Sequence, residues 1–156
     1  MAHIHTGAGE VDWTVEVYIV HAGRVLLRKH DKYGIWLGVG GHIELDETPA
    51  AAAPREVLEE VGLSVELIDA AVVHFPNSDT NAQLPMPMAM NVHAINDTHQ
   101  HIGLVYAARA TTTDIVPGPG EQQDGWQWYT TDELASSTEL SADVRAYAIA
   151  ALELVQ

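Results

Sequence analysis

The sequence predicts a mixed α/β sandwich, on three observations. Runs rich in β-branched and aromatic residues open the chain and recur in its second half. Two segments, at 49–61 and 141–155, instead show helical capping and helical periodicity. No repeat, linker or low-complexity tract divides the 156 residues, so one domain over 1–156 is expected, large enough to bury a core unaided.

The elements follow in order. "VDWTVEVYIVH" (11–21) and "RVLLRKH" (24–30), joined by Ala22-Gly23, read as a β-hairpin. "DKYGIWLGVGG" (31–41) reads as a glycine-broken connection. Thr48-Pro49 supplies an N-cap and a first-turn proline, and Gly62 a C-terminal stop, which together predict a helix from Pro49 to about Val61. "SVELIDAAVVHF" (64–75) has a strand pattern, and the proline-bearing segment 76–91 reads as a long loop, a lid being one use for it. Met86, Met88 and Met90 in that loop are placed to touch a ligand or to pack beneath it. "HIGLVYAARA" (101–110) is apolar enough for a central strand, 116–125 is a second loop, and "WQWYT" (126–130) is a short strand. After a helical turn at "TDEL", Ser141 caps an amphipathic helix with Val144, Tyr147, Ala148, Ala151, Leu152 and Val155 on one face.

Composition narrows the function. Seven Lys+Arg against 22 Asp+Glu give a formal net charge of −15, which argues against a long nucleic-acid partner, because that affinity comes from cations neutralising phosphates. An acidic protein that handles polyphosphate must import counter-charge, and a divalent metal is the obvious source. The absence of cysteine removes thiolate metal sites and thiol nucleophiles. With no basic-then-apolar leader and no apolar run of about 20 residues, no membrane association is expected, and a cytoplasmic location is the expectation.

The acidic residues are not spread evenly. Glu56, Glu59 and Glu60 are related as i, i+3 and i+4. On a helix they crowd one face, with Glu60 about 40° and Glu59 about 300° round from Glu56, while Val57 and Val61 lie near 100° and 140°. Mutual repulsion at that spacing should raise their pKa values, and Arg55 alone is too little counter-charge. Hard oxygen donors clustered in this way suit Mg²⁺ or Mn²⁺, although solvated acidic faces are also common on helices.

The surrounding pattern decides between those readings. Gly41, five residues, Glu47, seven residues, then Arg55-Glu56-Val57-x-Glu59-Glu60-x-Gly62-Leu63 fills every defined position of the Nudix box, and the chain closely resembles the Nudix hydrolases over essentially its whole length. That resemblance implies the Nudix α/β/α sandwich with a mixed central sheet. It implies metal-dependent hydrolysis of a nucleoside diphosphate linked to another moiety, with ADP-ribose, a nucleotide sugar or a (d)NTP each fitting. By the same resemblance Glu56, Glu59 and Glu60 hold Mg²⁺ or Mn²⁺ with help from a backbone carbonyl at Gly40 or Gly41. Glu56 is also the candidate proton acceptor, and Arg55 orients the carboxylates through Glu47. Glu121 and Asp124 are alternative bases, since some family members draw that group from a distant loop.

The expected partner is a small nucleotide; homodimers are common in the family, which leaves the oligomeric state open. A non-catalytic nucleotide sensor is the alternative, disfavoured because every box carboxylate is present. Two departures stand out. Pro54 falls inside the expected helix, where it removes the bond to the Ala50 carbonyl. The residues before the box read Gly-Val-Gly-Gly where many members carry a proline, which weakens transfer of their substrate class. Outside the box, Trp36, Trp126, Trp128, Tyr33 and Phe75 are candidates to stack a base, against the commoner role of core packing. His99 and His101, two apart at a strand start, share a face and form a candidate zinc pair, against the commoner reading as surface histidines. His42, beside the box, is given no role.

Overall fold

The computed structural model describes residue 7 and residues 9–156. Its axis is a parallel pair formed by β1 (Val11–His21) and β7 (His99–Ala110), in register from Val11 opposite Gln100 to Val20 opposite Arg109. β2 (Arg24–Lys29) returns antiparallel along β1 through Ala22-Gly23, both at positive φ (47° and 73°), the type I′ geometry that matches strand twist. β3 (Trp36–Leu37) pairs with β2, and β4 (Val39–His42) with β1. β5 (Val65–Leu67) and β6 (Ala89–Asn96) both pair with β7, and β8 (Trp126–Tyr129) pairs with β2. The described residues thus form one mixed eight-stranded sheet.

Period-two alternation divides this sheet between two cores. Val15, Val17 and Ile19 join Leu104 and Tyr106 against Ala52, Ala53, Val57 and Val61 of α1 (Pro49–Val61). Tyr18, Val20, Val105 and Ala107 form the opposite face, packed against Leu134 of α2 (Thr131–Ser136) and Val144, Ala148 and Ala151 of α3 (Ala142–Leu154). Helices on both faces of a mixed sheet make the expected α/β/α sandwich. No helix of the described residues is long and apolar enough to cross a membrane.

α1 has the expected bounds and the expected causes. Thr48 is extended and its hydroxyl accepts from Ala51 N, Pro49 opens the first turn, and Gly62 closes the helix at φ 70°. Pro54 lies inside it with no break in the helix. The missing hydrogen bond and ring clash cost about 3 kcal/mol, against about 1 kcal/mol regained from a stiffer unfolded chain. Pro54→Ala should therefore stabilise the protein by about 1–2 kcal/mol. A denaturant melt with a midpoint at or below wild type would show that the helix needs Pro54 to form its later turns.

Three segments differ from the sequence reading. The strand expected over 64–75 ends at Leu67; beyond it Val72, Val73 and Phe75 are exposed, so their β-propensity has no sheet face to satisfy. The loop expected over 76–91 ends at Met88, because β6 begins at Ala89. Met88 packs into the α3-side core, whereas Met86 and Met90 are exposed. The glycine-broken stretch 31–41 contains β3 and most of β4, where a Cβ on Gly40 would lie 2.0 Å from the Val15 carbonyl oxygen. Residues 69–88 are clamped at their neck: Asp69 Oδ1 accepts from Ala71 N and Met86 N, and Ala70 N donates to Met86 O.

Candidate functional site

α1 packs its apolar side on the sheet, and the adjoining face carries the triplet. Glu56 and Glu60 are buried (1% and 6% exposed), while Glu59 is exposed. This is no solvated acidic face. The counter-charge that the sequence demanded comes from two arginines. Arg55 lies at the centre of a hub: its Nε and Nη2 clamp both oxygens of Glu47 (3.1 and 2.5 Å), and Nη1 reaches Glu56 Oε1 at 3.0 Å and Glu59 Oε2 at 3.1 Å. Arg55 Nη2 also donates to the His42 carbonyl, tying the helix to the end of β4. Arg28, from β2, meets Glu60 Oε1 at 2.5 Å. Its sequence signal is faint: it needs the strand alternation that turns Leu26, and therefore Arg28, towards α1.

The electrostatics follow from burial. Desolvation pushes the Glu60 carboxyl up to about 7 despite Arg28, with the Glu56 charge adding to the rise. Glu56 is likewise raised, first by burial and then by the charges of Glu59 and Glu121, against the lowering pull of Arg55. Repulsion was the expected cause; burial is the larger one. The Arg55 clamp holds Glu47 below the ordinary carboxylate range. Because that clamp depends on a planar fork, Arg55→Lys should cost about 1–2 kcal/mol of stability and leave the carboxylates less well aimed. An unchanged melting midpoint in that variant would show that a point charge is enough.

Whether these groups suit a divalent ion can be tested on one atom. Glu56 Oε2 is buried without a hydrogen-bond partner among the described residues, an orphaned anionic oxygen of the kind a hard cation satisfies. Glu60 Oε2 sits 3.3 Å from Gly40 N, so the glycine pair does approach the triplet, through its N–H, whereas the sequence expectation concerned a carbonyl. The donor set fits Mg²⁺ or Mn²⁺.

The second loop is fastened onto the end of the box helix. Val116 N donates to Val61 O and Gly118 N to Glu59 O, satisfying carbonyls that the last helical turn leaves open. This brings Glu121 close enough for its charge to act on Glu56. For Asp124 the described contacts run through its backbone, which accepts from Gln122 Nε2. Among the aromatic candidates, Trp126 and Trp128 pack against the α1-side core and Trp36 against Tyr129 in the other. Tyr33 is exposed over His30 and Lys32, and Phe75 is exposed in the long connection. His99 and His101 are buried, not on the surface.

The site is thus a helix on one face of the sheet that carries two buried carboxylates, one of them beside Gly40 of the glycine pair. The model of the NUDIX domain matches residues 13–152, and the chain belongs to the Nudix family. A solved Nudix-family hydrolase from Clostridium perfringens superimposes with a TM-score of 0.81 at 30% identity, covering 93% of this chain and 98% of that one. An oxidized purine nucleoside triphosphate hydrolase of Danio rerio is 44% identical over 55 residues, 33% of this chain and 35% of that protein. A MutT-like protein of Streptomyces ambofaciens is 43% identical over 51 residues, 33% of each. The matched segments thus span about a third of these two curated relatives.

Proposed function

We propose that the protein is a pyrophosphohydrolase that cleaves a diphosphate linkage in a small nucleotide derivative with the help of Mg²⁺ or Mn²⁺. The observation that carries this reading is the buried, unpartnered Glu56 Oε2 beside the buried Glu60. Glu56, Glu60 and the more exposed Glu59 would hold the ion, with the Gly40-Gly41 backbone alongside. What such an ion supplies when bound is neutralisation of diphosphate charge and a more acidic water.

The chain's own residues set the rest. Arg55 and Glu47 fix the rotamers of Glu56 and Glu59, which matters because phosphoryl transfer rests on positioning more than on covalent help. Burial raises the pKa values of Glu56 and Glu60 in the metal-free protein, and a bound cation would offset that rise, leaving Glu56 an ionised first candidate for proton acceptor. Glu121, carried in by its loop, is the second candidate acceptor. ADP-ribose, nucleotide sugars and (d)NTPs all offer the required linkage, and the Danio rerio relative's named substrate class puts oxidised purine triphosphates on the same panel.

The test is turnover of such a panel with Mg²⁺ and with Mn²⁺, read as phosphate released by a coupled phosphatase, beside Glu56→Gln as control. Hydrolysis of at least one compound, lost in the control, supports the enzyme. Tight binding of one compound with no turnover of any would replace it with the sensor.

A further inference from the structure

A second constellation lies on the opposite face of the sheet from α1. Register puts it together. Asp12 pairs across the parallel ladder with His101, and His42 pairs with Thr14, two residues on from Asp12 and so on the same face. His99 is two residues from His101 and shares that face as well. Asp12, His42, His99 and His101 are all buried (0, 6, 6 and 8% exposed). Three imidazoles converge on one carboxylate oxygen: Asp12 Oδ2 lies 3.3 Å from His42 Nε2, 3.2 Å from His99 Nε2 and 4.0 Å from His101 Nε2. The rings of His42 and His101 stand 4.9 Å apart at 78°.

We propose that Asp12, His42 and His101 form a binding site for a zinc-like divalent transition metal, separate from the box and unrelated to its chemistry. One ligand atom from each of these three residues lies within 4.8 Å of the others. Ligand atoms of a tetrahedral zinc with bonds of about 2.0–2.1 Å are about 3.3 Å apart. The Asp12–His42 separation already has that value, and the widest separation must close by about 1.5 Å at most. Two imidazoles and one carboxylate are borderline donors that select zinc-like ions, whereas the all-oxygen box selects Mg²⁺ or Mn²⁺. His99, 3.2 Å from the same oxygen, holds the carboxylate in place rather than completing the set. Such an ion would tie β1, β4 and β7 together one residue from the Gly40-Gly41 pair. Its role is that of a structural pin, since these side chains are closed to solvent.

The full-length chain, without a polyhistidine tag and with Glu56→Gln/Glu60→Gln to disable the box, is stripped with chelator. It is then titrated with Zn²⁺ in excess Mg²⁺ against a chromophoric competitor. One equivalent is expected, with visible absorption of tetrahedral type when Co²⁺ replaces Zn²⁺. Asp12→Asn and His101→Gln should each weaken binding by roughly 100-fold or more, while His93→Gln, whose ring faces His101 from outside the set, should not. If the disabled box prevents folding, the wild-type chain in excess Mg²⁺ gives the same reading. Zinc should also raise the melting temperature of wild type and not of Asp12→Asn. The proposal falls if no equivalent binds, or if Asp12→Asn and His101→Gln, shown folded by circular dichroism, keep it. In the first case the three imidazoles serve to hold the buried Asp12 carboxylate in place.

Discussion

Glu60→Gln is expected to lower turnover by on the order of 100-fold or more while making the metal-free protein more stable above pH 7. The first effect is the loss of one buried anionic donor where charge must be neutralised, a scale of about 3 kcal/mol in the transition state. The second follows from linkage. Glu60 has a folded-state pKa of about 7 against an ordinary 4.5, so the folded protein holds a proton that the unfolded chain releases. Below about pH 4.5 both states are protonated and no penalty exists; between 4.5 and 7 stability falls as pH rises; above 7 the penalty is complete. Its size is about 3 kcal/mol, already net of the attraction to Arg28. Glutamine imitates the protonated acid and carries no such penalty. Wild type and variant should therefore unfold alike near pH 4 in EDTA and diverge steadily towards pH 8. Excess Mg²⁺ should reverse the order at pH 8, because an ion that binds only the folded state stabilises it by mass action. Equal responses to Mg²⁺ with turnover intact would remove Glu60 from the metal site.

Gly62→Ala should destabilise the protein by about 3 kcal/mol or more and uncouple the second loop from the box. Two costs add. A side chain at φ 70° carries left-handed strain of about 1–2 kcal/mol. Its Cβ would also stand 2.1 Å from the Val116 carbonyl oxygen, which the backbone can relieve only by moving the loop. Moving it endangers the Val116–Val61 and Gly118–Glu59 hydrogen bonds, each worth about 1 kcal/mol. Gly120→Ala separates the two costs, because Gly120 has φ 84° but open space where its Cβ would go. Denaturant melts should show a loss of about 1–2 kcal/mol there against the larger loss at 62. Turnover at 62 should fall further than stability explains if Glu121 serves the reaction from its docked position. Matching losses at the two glycines would mean the loop adapts freely and its docking holds nothing.

What could be read from the sequence was whatever its local chemistry determines. Thr48, Pro49 and Gly62 bound α1 because caps act on their own turn, and Ala22-Gly23 gave the hairpin for the same reason. The box carboxylates were legible through their spacing. Arg28 was not, because its meeting with Glu60 depends on β2 being aligned beneath a helix some 30 residues later. The burial of His99 and His101 beside Asp12 was hidden for the same reason. Parallel pairing of strands nearly 90 residues apart leaves no local mark, and a register one residue different would turn those rings to the other face. β6 was missed because its side chains are mostly exposed, which leaves little apolar alternation to read.

The clamp at Asp69 gives the molecule a modular joint. Residues 72–85 leave and re-enter the sheet region through one neck, closed by hydrogen bonds among Asp69, Ala70, Ala71 and Met86 that do not depend on what lies between. The entropy of closing such a loop grows only with the logarithm of its length, so about twice as many residues would add only about 0.6 kcal/mol. The cassette can therefore lengthen, shorten or change composition while β7, the box helix and Arg28 keep their register. A descendant of this chain could exchange the fourteen residues beyond this joint without a single change within 41–63.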